Sequence, residues 1–279
     1  MIGKLRAKLR LEVERLWSIR VHGGAWAALR VIYVEGLRNS ALRAAASIPF
    51  LPQSNRVRCN ICGWSSASFL SHCGIDYEST NAFCGRCRSY ARHRGFAWLL
   101  EQGQISGGGG ALLFAPEHAL RIALTQAGFA PIGTDLAPKN SLVRVRQDAQ
   151  FLGLRDRSLA LAVSFHVLEH VPDDRRALRE LARVLAPDGQ LVLCVPITQH
   201  HAATREFGAP DPRLNDHYRD YGRDFGERLE GAGFDYREFR LDHVIPAAEH
   251  VRLAMIDESI FLARPRAALS PESPPTLHR

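Results

Sequence analysis

The residues with the plainest chemistry are cysteines. Cys59-Asn60-Ile61-Cys62 and Cys84-Gly85-Arg86-Cys87 are two C-x-x-C pairs with 21 residues between them. A two-residue spacer lets both thiolates of a pair turn toward one tetrahedral ion. Gly63 after the first pair and Gly85 inside the second supply the backbone freedom such turns use. Five of the six cysteines fall between positions 59 and 87, and the sixth is Cys194. Without a secretion signal, crowding of this kind favours metal over disulfides. The spacing predicts a zinc ion held by Cys59, Cys62, Cys84 and Cys87, with Cys73 and His72 as second choices for a ligand position. Four thiolates leave no open position, so the expected role is structural: the ion stabilises a module too small for a core of its own. A recognition face built from Arg86, Arg88, Tyr90, Arg92 and Arg94 beside Trp64 and Phe69 is the other use considered for the module.

A second group of candidates is acidic. In an open α/β sheet the ligand lies across the carboxyl ends of the strands, and an acid about twenty positions beyond the first strand holds ribose hydroxyls. Asp135 closes the segment Pro131-Ile132-Gly133-Thr134-Asp135 at that distance from Ala115. Asp148, with Ala149, follows the third candidate strand and suits an exocyclic amine. Phe165, His166 and Val167 follow the fourth and are placed to wall the same ligand.

These residues need a sheet to hold them, and the sequence supplies its pattern. From Ala111 short apolar runs alternate with longer helical ones: ALLFA, HALRIALTQAG, PIGTD, LVRVRQDA, SLALAVSFH, DDRRALRELARVLAPDG, QLVLCVPI. This alternation builds a parallel sheet covered by helices. A helix is expected over 221–231, stopped by Gly233, with two further strands near 236–241 and 258–263. Upstream, Ile2, Leu5, Leu9, Val13, Leu16 and Trp17 recur at helical spacing, so residues 1–20 are expected to form an amphipathic helix. Helical stretches at 25–37 and 41–48 end at Pro49 and Pro52. ARHRGFAWLLEQ reads as a helix leaving the cysteine module, and Gly103 to Gly110 as a hinge. The predicted organisation is a basic helical segment over 1–55, a zinc ribbon with its connecting helix over 56–102, an α/β domain over 103–264 and a disordered tail over 265–279.

Charge is unevenly spread. Residues 1–58 carry eleven basic against three acidic residues, a net of +8, so the remaining 221 residues sum to about −1 of the chain's +7. The basicity belongs to the N-terminal segment, which argues against nucleic acid as the partner of the α/β domain. Charges interrupt every apolar stretch before it reaches the length of a spanning helix or a signal core. The expected setting is cytoplasmic, with residues 1–50 as a surface for self-association or for peripheral contact with the inner face of an anionic membrane.

The run Phe165-His166-Val167-Leu168-Glu169-His170-Val171-Pro172-Asp173-Asp174, followed by Ala177-Leu178-Arg179-Glu180-Leu181, Arg183-Val184-Leu185, Pro187-Asp188-Gly189 and Val195-Pro196, closely resembles the class I S-adenosylmethionine-dependent methyltransferases of small molecules. The resemblance covers about 109–263. It is closer still to a bacterial subgroup with a cysteine ribbon ahead of the domain, an A-P-E turn after the first strand and an H-x-R-x-Y-G-x-D-F segment after the fifth. Here these are Ala115-Pro116-Glu117 and His217, Arg219, Tyr221, Gly222, Asp224 and Phe225, with Tyr218 in place of the more usual Val.

The resemblance implies a Rossmann-like class I methyltransferase sheet with helices on both faces and a final antiparallel pair. It implies S-adenosylmethionine as methyl donor, contacted by Ala115, Pro116, Glu117, Asp135, Leu136, Asp148, Ala149, Phe165 and His166. The usual turn after the first strand is Gly-rich so that backbone approaches the cofactor; here it is Ala-Pro-Glu, and Glu117 is placed either to meet the cofactor's ammonium group or to begin a helix near its positive end. The fourth strand carries Ala160 and Leu161 where the family usually has an Asp.

The acceptor is expected to be a small molecule bearing a hydroxyl, such as a sugar. His166, His170 and His217 are the candidate bases for its proton. Each has a plainer reading: His166 as a wall of the cofactor site, and Glu169 with His170 as a loop bonding its own backbone. Asp173 and Asp174 read as helix-capping residues, Cys194 as a buried strand residue. His200 and His201 are expected on opposite sides of an extended segment, lining the acceptor entrance. The competing reading of the whole chain is a non-catalytic scaffold that engages nucleic acid or an anionic membrane through its basic segment and ribbon.

Overall fold

The computed structural model describes residue 20 and residues 25–47, 56–73, 78–137, 140–211 and 214–266. The helix expected over 1–20 and the tail beyond 266 lie outside the described residues. The chain divides into two units, one formed by residues 1–102, 118–123 and 241–257, the other by 103–117, 124–240 and 258–279.

In the first unit the two helical stretches expected between 25 and 48 are one. Residues 25–31 are α-helical, Ile32–Arg38 continue as a π-helix, and α1 (Asn39–Ala46) follows directly. Two short hairpins come next, β1 (Val57–Arg58) with β2 (Ser65–Ser66) and β3 (Leu70–Cys73) with β4 (Glu78–Phe83). Glu35 and Asn39, one turn apart, cover the open edge of β3: Asn39 exchanges hydrogen bonds with the Ser71 backbone at 2.8 and 3.0 Å, and Glu35 accepts the Cys73 amide at 2.7 Å. Those contacts satisfy backbone groups that a bare edge would leave open.

The helix α2 (Ala91–Glu101) follows the second cysteine pair as expected. Its Arg94 is fully buried. It donates to the carbonyls of Leu253 at 2.6 Å and of Ser89, and its guanidinium lies 4.0 Å from the centre of the Phe69 ring. Of the recognition face expected here, Arg86 and Arg88 are exposed and Tyr90 and Arg92 partly so, but the rest is core. Arg94, Trp64 and Phe69 are all buried, because the module uses a cation stacked on an aromatic ring as core.

The second unit is built on a seven-stranded sheet. Its strands are β5 (Gly109–Phe114), β6 (Phe129–Asp135), β7 (Val143–Arg146), β8 (Leu159–Phe165), β9 (Leu185–Cys194), β12 (Phe234–Arg240) and β13 (Ser259–Pro265), in the order β12-β13-β9-β8-β5-β6-β7. The strands β5 to β9 run parallel, while β13 and β12 complete the sheet antiparallel. This is the α/β architecture expected, with its final antiparallel pair. The apolar runs of β5, β8 and β9 are buried, as parallel strands covered on both faces require.

The helix α3 (His118–Gln126) follows β5, and α4 (Asp174–Val184) follows β8 through a 3-10 turn, Leu168–His170. Ala177, Leu178, Leu181 and Val184 recur at helical spacing on the buried face of α4, and the Asp173 side chain caps it by accepting the Arg176 amide at 2.9 Å. Between β9 and α5 (Phe225–Gly231) lies a polar antiparallel ribbon, β10 (Arg205–Asp211) with β11 (His217–Asp220). Sequence patterning did not separate this ribbon from loop. The expected helix over 221–231 is shorter, because Tyr221 bridges to Ile197 and Asp224 sits at the cap. The segment between β12 and β13 carries α6 (Leu241–Val244) and α7 (Ala247–Leu253), which belong to the first unit.

Candidate functional site

The chain crosses from β5 to β6 on one side and from β7 to β8 on the other, so strand order reverses between β5 and β8. Ligands of open α/β sheets bind outside the carboxyl ends of the strands at such a point. The expected cofactor residues all lie at those ends: Ala115, Pro116 and Glu117 after β5, Asp135 and Leu136 at β6, Asp148 and Ala149 after β7, Phe165 and His166 at β8.

The Ala-Pro-Glu turn has the backbone geometry of a glycine turn without the glycine. Ala115 has φ of 40°, in the left-handed region, and its amide donates to the Thr134 carbonyl at 2.8 Å. Pro116 packs onto Gly133 of β6, where an added Cβ would lie 2.8 Å from the proline ring and 2.3 Å from the Leu142 carbonyl oxygen. Glycine at 133 is what lets the proline ring and the Leu142 carbonyl lie this close to the strand.

Asp135 is half-buried. Its Oδ1 accepts the Ala137 amide at 3.0 Å, while Oδ2 has no protein donor among the described residues. Leu136 is 55% exposed beside it. Asp148 is already occupied: both its oxygens meet the Gln150 amide side chain, at 3.2 and 3.4 Å, and Oδ1 also accepts the Gln150 backbone at 2.9 Å. Ala149 and Phe165 are buried.

The three candidate bases come together. His166 stands at φ of 53°, its amide bonded to the Cys194 carbonyl at 2.8 Å and its Nδ1 3.2 Å from Glu169 Oε1. His170 and His217 meet edge to face with ring centres 4.7 Å apart. Ligating atoms of Glu169, His170 and His217 all lie within 4.8 Å of one another. Glu169 is fully buried, yet neither of its oxygens makes a hydrogen bond. The turn bonds its own backbone, as the plainer reading has it, with the His170 amide on the Val167 carbonyl at 2.9 Å and the Val171 amide on that of Leu168 at 3.2 Å, but the Glu169 carboxylate takes no part. Burial, with His170 and His166 nearby, holds the His217 imidazole below its ordinary pKa against the upward pull of Glu169 and Asp220.

A buried ionic network fixes this cluster from behind. Arg219, two residues after His217, donates to the carbonyls of Leu168 at 2.8 Å, Val171 at 2.6 Å and Pro172 at 2.7 Å, which pins the turn bearing Glu169 and His170. Its Nε also meets Glu206 at 3.0 Å. Asp174, expected only as a capping residue, is 2% exposed and binds both Arg228 at 2.9 Å and the Tyr221 hydroxyl at 2.8 Å. Burial first, and then Asp174, push the Tyr221 phenol well above its ordinary pKa. Asp224 accepts both the amide and the hydroxyl of Thr204, at 2.8 and 2.6 Å, and Gly222 lies where a Cβ would meet the Ala203 backbone at 2.5 Å. The spaced motif from His217 to Phe225 thus ties together the turn before α4 through Arg219, the start of α4 through Tyr221 and the Thr204 segment through Asp224. His200 and His201 differ from expectation. They sit in a turn closed by the His201 amide on the Thr198 carbonyl, so their rings touch, with centres 4.4 Å apart, rather than diverging. His201 also pairs with Asp220 at 3.0 Å.

In the first unit Cys59, Cys62, Cys84 and Cys87 converge, with all four Sγ atoms within 4.8 Å of one another. The separations Cys59–Cys87 and Cys62–Cys84 are 3.6 and 3.5 Å. A tetrahedral zinc with bonds of about 2.3 Å requires an edge of about 3.8 Å, so the donor set fits. Hydrogen bonds from Cys62, then Cys84 and Cys87, hold the Cys59 thiol low, while bonds to Cys59 drive Cys62 and Cys84 high. Four thiolates at these distances require a cation to coexist. The two knuckles repeat one geometry. Gly63 and Arg88, each four residues past the first cysteine of its pair, both adopt positive φ, at 72° and 62°. Gly85 does not. It is glycine because a Cβ there would lie 2.7 Å from the Trp64 ring. Cys73 and His72 are not in the cluster; Cys73 packs with Ala27, Val31 and Val34, and His72 Nδ1 pairs with Glu35 at 3.0 Å.

No helix among the described residues is long and apolar enough to cross a membrane. The family described as Methyltransferase domain matches the chain over residues 106–238. No curated protein sequence matches it. Among solved structures, a chain from the complex of the Haloferax volcanii Trm112 methyltransferase activator with a methyltransferase is 17% identical, with 63% of this chain and 91% of that one covered and a TM-score of 0.47. The YcgJ protein of Bacillus subtilis is 15% identical, with 63% and 100% covered and a TM-score of 0.45. Phosphoethanolamine N-methyltransferase 2 of Haemonchus contortus, solved with S-adenosyl-L-methionine, is 15% identical, with 63% and 52% covered and a TM-score of 0.44.

Proposed function

We propose that this protein, whose residues 106–238 match the methyltransferase-domain family, transfers a methyl group from S-adenosylmethionine to a small molecule bearing a hydroxyl, such as a sugar. The observation that carries this reading is Asp135. It ends the second strand beside the switch point with one carboxylate oxygen unused by the protein. That oxygen suits a ribose hydroxyl. Backbone of the Ala115 to Glu117 turn, with Leu136 and the ends of β7 and β8, completes the cofactor contacts. The cofactor supplies an already activated methyl group. The protein's share is then to align the acceptor, exclude water and take up its proton. His166, His170 and His217 are the groups for the last task.

The cysteine cluster holds zinc in a structural role, closing two knuckles around the small core of Trp64 and Phe69. The catalytic part is taken as residues 103–264 and the ribbon with its helix as 56–102. The basic segment over 1–55 is assigned to self-association or to contact with an anionic surface.

Calorimetry with S-adenosylmethionine tests the reading directly. Wild-type protein is expected to bind the cofactor, and Asp135→Ala to bind it at least tenfold more weakly, about 1.4 kcal/mol. Absence of cofactor binding by the wild type would leave the non-catalytic scaffold as the better description. A mass gain of one methyl in an acceptor from a cell extract would identify the substrate.

A further inference from the structure

We propose that Glu169, His170 and His217 form a second metal site, separate from the cysteines, that takes a divalent first-row transition cation. The three residues come from two elements. Glu169 and His170 lie on the turn Leu168–His170, and His217 opens β11. Their ligand atoms nevertheless gather within 4.8 Å of one another. Two imidazoles and one carboxylate are a donor set matched to zinc, iron or a neighbouring metal, and three protein ligands leave a position open for water or substrate.

The buried carboxylate points to the ligand independently of that gathering. Glu169 is fully buried and neither oxygen receives a hydrogen bond, although polar groups in that setting are otherwise paired. His166 Nδ1 stands 3.2 Å from Oε1 but does not complete a hydrogen bond to it. A cation between Glu169 and the paired imidazoles supplies the missing partner. The scaffold is also of the kind a metal site requires. Arg219 ties three carbonyls of the turn and stands two residues from His217, so a single side chain fixes both halves of the ligand set. His170 is solvent-exposed, which gives the ion a way in and out.

The site stands whether or not the protein transfers methyl groups, and its test needs no activity; with the cation bound, His170 and His217 are ligands and the proton-accepting task of the proposed function falls to His166. Protein with its cysteines already loaded with zinc is titrated with Co2+ under reducing conditions, followed by calorimetry and visible absorption. The wild type is expected to take up a further equivalent whose spectrum lacks thiolate-to-cobalt charge transfer. His170→Ala, His217→Ala and Glu169→Gln are each expected to weaken that uptake by more than the roughly 10–100-fold typical of an outer-shell change, with His201→Ala unchanged. His170 is exposed, so its variant keeps the test valid if the buried substitutions impair folding. Uptake equal in wild type and His170→Ala, or no uptake by the wild type, overturns the proposal. Cofactor binding is measured on the same samples, which separates failure of the metal site from failure of the methyltransferase reading.

Discussion

At the scale of single residues, several side chains are committed more tightly than their types suggest. Asp174 looks like one more acid at a helix start, yet it neutralises buried Arg228 and accepts the Tyr221 hydroxyl. Removing its carboxylate leaves the buried guanidinium with the partly exposed Glu206 as its remaining acid partner among the described residues. Asp174→Ala is expected to cost about 3–5 kcal/mol in chemical denaturation. Tyr221→Phe, which removes only the hydroxyl, is expected to cost about 1.5–3 kcal/mol. Ala115, held at φ of 40°, invites the opposite experiment. Ala115→Gly is expected to change stability by no more than about 1 kcal/mol, because relief of the left-handed strain offsets added freedom in the unfolded chain. Ala115→Val should destabilise clearly. Asp224 gives the pH dependence. Burial raises its pKa, but the hydrogen bonds from Thr204 and the charge of Arg228 outweigh it and leave the group below its ordinary value. The unfolded chain then binds the proton more tightly than the folded one. Its stabilisation is complete above about pH 4 and fades as pH falls through the lower, folded value. Asp224→Asn is expected to flatten that acid limb when stability is measured by denaturant titration across pH.

At the scale of elements, the sequence announces the parallel strands and the knuckles and hides the ribbon. Strands β5, β8 and β9 are apolar runs because both their faces are covered, and the C-x-x-C spacing is a local geometric requirement. Neither needs long-range information. The ribbon β10–β11 is mostly polar, and β10 is exposed at five of its seven positions, so no apolar period marks it. Nor does sequence reveal that His217 meets His170, since that contact depends on Arg219 reaching back to the turn before α4. The position of the cofactor candidates at strand ends was legible because strand ends follow from strand assignment. Asp148 turned inward on Gln150 because an Asp before a turn bonds locally, which strand assignment does not foresee. The knuckles make an element-scale prediction. Gly85→Ala drives a methyl into Trp64, which is itself stacked on Phe69, and is expected to cost about 1–3 kcal/mol with lower zinc retention by metal analysis. Arg88→Gly, at the left-handed position of the same knuckle, should be neutral or mildly stabilising.

At the scale of the whole molecule, neither unit is a continuous run of sequence. The first takes in residues 241–257, and the carbonyls of Leu253 and Ala254 there receive the buried guanidinium of Arg94. A shortened chain beginning at residue 103 would match the family's extent but strip that segment of its partners. It is expected to aggregate or to unfold with a broadened transition, checked by sedimentation and denaturant titration; a sharp two-state transition would show that 241–257 needs nothing upstream. Metal removal bears on the same unit. A strong chelator under reducing conditions should lower its melting temperature, because zinc bound only by the folded state stabilises that state by mass action. The packing that forces glycine at position 85 also gives this experiment a signal of its own. The Trp64 indole rests on that glycine, against the second knuckle and out of solvent, whereas Trp26 is 84% exposed. Its fluorescence should be blue-shifted and should change in intensity as metal enters or leaves, which would make the indole an intrinsic optical gauge of metal occupancy at the four cysteines.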